Sequence, residues 1–202
     1  MGAVVVAIHG FTRGPQHLEI LARACNDQGW RCVRPAAAPT WAPVVMHSRA
    51  HLVRIADRLA PQLRGHEVVV VGHSAGAAAG AWISAALLDA GVEVRGIVMV
   101  DGNDSPNHLI EQSLPQLASV PIRAVLAPPS PCNRQGRLQA LLDEQRPGST
   151  TVIPGSGHGD IEMEPSAVYR HACGDDSTLE TRHQVLATVV SEIDALLAVS
   201  AH

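Results

Sequence analysis

Five short apolar runs punctuate the chain: Val4–Ile8, Val68–Val71, Gly96–Val100, Ile122–Leu126 and Thr151–Ile153. Their length and bounding turns predict strands buried on both faces, as in a parallel sheet. Arg31–Arg34, after Gly29-Trp30, is a weaker sixth candidate. Between the runs, apolar residues recur at helical spacing. They are Leu18, Leu21 and Ala22; Leu52, Ile55, Ala56, Leu59 and Leu63, stopped by Gly65; and the Ala-rich stretch Ala75–Leu88. Leu138, Leu141 and Leu142 follow before Pro147-Gly148, and Val185, Val189, Ile193, Leu196 and Leu197 complete the set. Ser177-Thr178-Leu179-Glu180 is a capping pattern for that last helix. Strand and helix alternate throughout. The expected class is α/β, one domain over residues 1–202, with a mostly parallel six-stranded sheet and helices on both faces. Such sheets carry their chemistry on the loops beyond the carboxyl ends of the strands.

One stretch, Val68 to Leu88, contains no Asp, Glu or Arg, but Gly72, His73, Ser74, Gly76, Gly80 and Ser84 break it. A β-branched run followed by an Ala-rich run predicts a buried strand leading into a buried helix, not a membrane span. The four cysteines, Cys25, Cys32, Cys132 and Cys173, form no CxxC pair, and the opening Met1-Gly2-Ala3 carries no basic leader. They are expected to be free thiols in a cytoplasmic protein.

Charge narrows the function. The 202 residues carry a net charge of −4, and all 15 basic residues are Arg. Without Lys there is no Schiff base and no P-loop lysine, and without a basic excess there is no surface for nucleic acid. Only 2% of residues are aromatic, too few for a base-stacking platform. No metal or cofactor is expected: His47 and His51 are a histidine pair four apart with no third ligand in view, and Gly72-x-x-x-Gly76 lacks dinucleotide spacing.

The chemistry concentrates at Gly72-His73-Ser74-Ala75-Gly76, directly after one strand and before a helix. A serine on so sharp a turn has its hydroxyl pushed clear of the backbone. Strand and helix then approach so closely that side chains at positions 72 and 76 would collide. The helix start behind Ser74 supplies free N–H groups for an oxyanion. His9-Gly10-Phe11 ends the first strand, where the Phe11 N–H can pair with that of Ala75, while His9 packs beneath the loop. Among 11 histidines, His158 in Gly155-Ser156-Gly157-His158-Gly159 sits just past the last strand, on a loop able to reach back to Ser74. His47, His51, His66, His171 and His183 read as solvated, His73 as pointing away from the nucleophile, and His108 as the remaining rival.

These residues resemble the α/β-hydrolase superfamily, in which the order is nucleophile, acid, histidine and the serine lies in a G-x-S-x-G elbow. The resemblance implies a minimal hydrolase lacking the usual N-terminal antiparallel strand pair and acting through an acyl-enzyme. The acid departs from the commonest pattern. Its usual place, Ala127 to Arg134, holds no Asp or Glu, and Asn133 stands there instead. The preceding strand ends in Asp101-Gly102-Asn103-Asp104, similar to the acid position in thioesterase domains of fatty-acid and polyketide synthases. Asp101 is therefore the expected acid, with Asp104 in reserve and otherwise a helix start; Asp160 is too close in sequence to His158 to reach its ring.

The implied substrate is a small carboxylic ester or thioester. Acyl transfer, perhydrolysis and a non-catalytic ligand-binding protein on the same scaffold are the alternatives. Only 21 residues separate Val100 from Ile122, room for one short helix and no cap domain. Residues 161–177, with Glu162, Met163, Glu164, Tyr169, His171 and Cys173, are either a rim over the site or a plain crossover. Trp41 is a candidate wall of the substrate site and Trp82 a core residue. Oligomeric state is left open.

Overall fold

A computed structural model of the protein describes residues 2–104, 106–163, 167–174 and 176–199, with the backbone alone for 167–169. Six strands form one sheet: β1 (Ala3–Ile8), β2 (Arg31–Val33), β3 (Glu67–His73), β4 (Glu93–Val100), β5 (Ile122–Leu126) and β6 (Thr150–Val152). All pairings are parallel, in the order β2-β1-β3-β4-β5-β6. The helices are α1 (Glu19–Asp27), α2 (Arg49–Leu63), α3 (Ala75–Asp89), α4 (Leu109–Ser113), α5 (Arg137–Gln145), α6 (Ala167–Cys173) and α7 (Leu179–Ala198).

The uninterrupted valines of β1 and β3 follow from burial on both faces. Val4, Val6, Val68, Val70, Ile97 and Met99 pack toward α2, α3, α4 and α5. Their alternates Val5, Ala7, Val69, Val71, Val98 and Val100 pack toward α1 and α7. α3 is buried almost all round, and its small residues let it lie close to β1, β3 and β4. Among the described residues no helix is long and apolar enough to cross a membrane.

The chain starts at β1, steps outward to β2, then returns across β1 to β3. After β1 the chain turns to the α1 face and after β3 to the α3 face, and parallel sheets of this kind carry their sites at the carboxyl ends of such strands. Among the described residues between β4 and β5 the one α-helix is the five-residue α4, as the short spacing predicts.

The cysteine expectation fails for one pair. Cys132 and Cys173 are disulfide-bonded, joining the loop after β5 to the end of α6; Cys25 and Cys32 are free. The reading of four thiols, on which the cytoplasmic expectation rested, therefore holds for two. Spacing could not reveal the bridge, because the partners stand 41 residues apart and only the fold brings their Cα atoms to 5.2 Å. Closing a loop of that length stabilises by ~4 kcal/mol in the chain-entropy picture, roughly 10 °C in Tm for a domain of this size. Incubation with dithiothreitol is expected to lower the melting temperature by that order, and an unchanged midpoint would show the bridge to be energetically idle.

Candidate active site

Ser74 leaves the end of β3 with φ 56° and ψ −125°, a backbone state that side chains rarely adopt and that the surrounding packing must hold. Its own N–H donates to the Val100 carbonyl (3.0 Å), which extends the sheet ladder one residue past the strand. A Cβ on Gly72 would lie 2.3 Å from the Gly76 carbonyl oxygen, and one on Gly76 2.4 Å from that of Ile8. Both glycines are thus required by close backbone approach, for the reason the sequence suggested.

His158 Nε2 lies 2.9 Å from Ser74 Oγ, and His158 Nδ1 bonds Asp101 Oδ2. The carboxylate only accepts, so the imidazole carries its proton on Nδ1 and offers Nε2 as acceptor to the serine hydroxyl. All three side chains are buried. Asp101 follows β4 at φ 39° and is held by its N–H to the Val125 carbonyl (2.8 Å). Its second oxygen accepts from the Ala127 N–H (2.9 Å) and from Asn133 Nδ2 (3.0 Å). Asn133, in the place where an acid is commonest, therefore supports the carboxylate that stands one strand earlier. Asp104 goes elsewhere: its oxygens accept from the Ile110 and Glu111 N–H groups at the start of α4, and burial raises its pKa. Asp160 accepts from the Gly157 N–H (2.9 Å) and braces the His158 loop.

The loop after β1 passes over Ser74 so closely that a Cβ on Gly10 would sit 3.1 Å from Ser74 Cβ. The backbone of Phe11 thus runs beside Ser74, opposite the start of α3 at Ala75. The Phe11 ring is exposed and stacks on His47, centroids 5.9 Å apart.

No family model and no curated protein matches this sequence. Solved structures do. A protein from Xanthomonas campestris assigned to the alpha/beta hydrolase superfamily superposes with TM-score 0.58 at 20% identity, over 96% of this chain and 99% of that one. The RedJ thioesterase of the Streptomyces coelicolor prodiginine pathway gives 0.62 at 13%, over 94% and 89%. Est1E from Butyrivibrio proteoclasticus gives 0.67 at 14%, over 98% and 89%. The chain has the α/β-hydrolase fold.

In this α/β-hydrolase fold a further set of buried polar residues surrounds Ser74, His158 and Asp101, and the sequence pattern does not mark it. His73 is buried and directed under the His158 loop, its Nε2 2.7 Å from the His158 carbonyl oxygen and its ring 5.1 Å from the His158 ring. Its Nδ1 faces Glu162 Oε1 at 3.3 Å, and the other Glu162 oxygen faces Arg13 Nε at 3.1 Å. Burial alone would push the His73 pKa down, but the Glu162 carboxylate, the His158 carbonyl and Asp101 outweigh it and raise it. Burial likewise works to raise the Glu162 pKa, and His73 and Arg13 bring it below the usual value.

Glu162 stood among the candidates for an external rim, and instead it is fully buried with Ile161 packed into the α1–α7 layer. Met163 is exposed, and Glu164 and the Tyr169 side chain lie outside the described residues. A run of polar residues in a loop gave no hint that one would turn inward. Trp41 is 85% exposed and projects into solvent without forming a wall, whereas Trp82 is half-buried under Arg49. His9 packs beneath the loop as expected: Nε2 accepts from the Ala37 N–H and Nδ1–H donates to the Gly10 carbonyl. His47 and His51 are not a solvated pair, since His47 stacks on Phe11 and His51 bonds the Ala37 carbonyl. Among the described residues, Asp104, His108 and Glu111 bring one ligand-type atom each within 4.8 Å, but the Asp104 oxygens already serve α4.

Proposed function

We propose that this protein is a serine hydrolase that cleaves small carboxylic esters or thioesters through an acyl-enzyme. One observation carries the reading: a strained, buried Ser74 whose hydroxyl lies 2.9 Å from an imidazole nitrogen freed to accept by Asp101 on the far side. His158 takes the Ser74 proton as Oγ attacks the acyl carbonyl, and Asp101 steadies the imidazolium that forms. The N–H groups of Phe11 and Ala75 receive the developing oxyanion. His158 then returns the proton to the leaving alcohol or thiol, and water repeats the cycle to release the acid.

The short connection between β4 and β5, whose described residues hold the five-residue α4 and no cap domain, supports an open site. Similar structures include a thioesterase, which supports acyl chemistry on this scaffold without choosing between oxygen and sulfur leaving groups. A fluorophosphonate probe is expected to label the wild type and not Ser74→Ala. No labelling of either would favour a ligand-binding protein. p-Nitrophenyl esters and acyl-CoA thioesters run side by side would then divide the substrate class.

A further inference from the structure

A main-chain carbonyl can only accept, so the 2.7 Å contact with the His158 oxygen places a proton on His73 Nε2. His73 Nδ1 then faces Glu162 Oε1 at 3.3 Å, an ion-pair contact between two buried side chains. Arg13, mostly buried beside the other Glu162 oxygen, secures the anion. Glu162 is itself fixed from outside. Arg182 donates to its carbonyl and to that of Met163, its N–H donates to the Gly159 carbonyl, and the Met163 N–H donates to the His17 carbonyl (2.9 Å).

The consequence falls on one peptide unit. His158 sits on a glycine-flanked loop, Gly155 to Gly159, whose backbone has no strand to fix it. Asp160 braces the loop at Gly157 and Asp101 holds the imidazole, while the His158 peptide itself is pinned at its carbonyl by His73. We infer that Arg13, Glu162 and His73 form a positioning network that, through the His73 Nε2–H bond to the His158 carbonyl, fixes the distance of the imidazole from Ser74. The inference rests on the proposed roles of Ser74 and His158. His73 and Glu162 touch no reacting atom; they act through His158.

The test uses p-nitrophenyl acetate turnover and the rate of fluorophosphonate labelling, with thermal melting alongside. His73→Leu removes the donor and is expected to lower kcat by about 10²-fold, the scale of an ångström-sized misplacement, with KM within threefold of wild type. His73→Gln keeps an N–H able to reach the carbonyl and is expected to recover at least tenfold of that loss. Glu162→Gln is expected to lower kcat without changing KM, and it decides the matter if His73→Leu fails to fold. A folded His73→Leu with kcat within threefold of wild type overturns the network's role, as does a His73→Gln no better than His73→Leu. Wild type that no probe labels at Ser74 overturns the underlying reaction instead, and the two failures are told apart by that control.

Discussion

Ser74→Ala is expected to lower kcat toward p-nitrophenyl acetate by about 10⁶-fold, the loss seen when the nucleophile of a serine triad is removed. Removal of Oγ deletes the bond-forming atom and leaves His158 with no hydroxyl to deprotonate. The close contact in this turn is between Gly10 and Ser74 Cβ, which alanine retains, so the elbow and the fold should persist. The residual rate should stand about 10³–10⁴-fold above water, because substrate binding and the N–H groups near Phe11 and Ala75 remain. Rapid mixing should show a burst of p-nitrophenol in the wild type wherever deacylation is the slower step. Retention of more than a hundredth of wild-type turnover by Ser74→Ala would remove the acyl-enzyme and leave His158 activating water directly.

Much of this arrangement was legible because local constraints repeat along the chain. The valine runs could be placed as doubly buried strands, and each lies within one residue or a few of its observed bounds. Gly72 and Gly76 could be explained before any distance was known, since only a tight strand-to-helix turn needs both. His158 is singled out by its place after the last strand, and its ring lies beside Ser74. What stayed hidden depends on partners distant in sequence. The Cys132–Cys173 bridge needs α6 beside the β5 loop, and the inward turn of Glu162 needs Arg13 and His73 already in place. A buried carboxylate is unfavourable alone and becomes tolerable only when its partners arrive from the loop after β1 and the end of β3. A polar residue in a loop carries no local mark of that compensation.

Asp101→Asn is expected to cost about 10⁴-fold in turnover, and the geometry gives a specific reason. Both neighbours of Asp101 Oδ1, the Ala127 N–H and Asn133 Nδ2, are donors, so an amide at position 101 must turn its carbonyl oxygen toward them. Its NH2 group then occupies the place of Oδ2 and donates to His158 Nδ1. The imidazole proton moves to Nε2, which now donates to Ser74 Oγ where it should accept. The side chains stay in register while the base is lost, so KM should change far less than kcat. Asp104→Asn should leave kcat within about tenfold, since Asn caps a helix as well as Asp and can still accept from the Ile110 N–H. Asn133→Asp should also impair the enzyme, because a second carboxylate replaces a donor 3.0 Å from Asp101 and the two charges repel. Kinetics of the three variants on one ester discriminate between the acids: an inactive Asp104→Asn beside an active Asp101→Asn would transfer the role to Asp104 and require the His158 ring to swing away from β4.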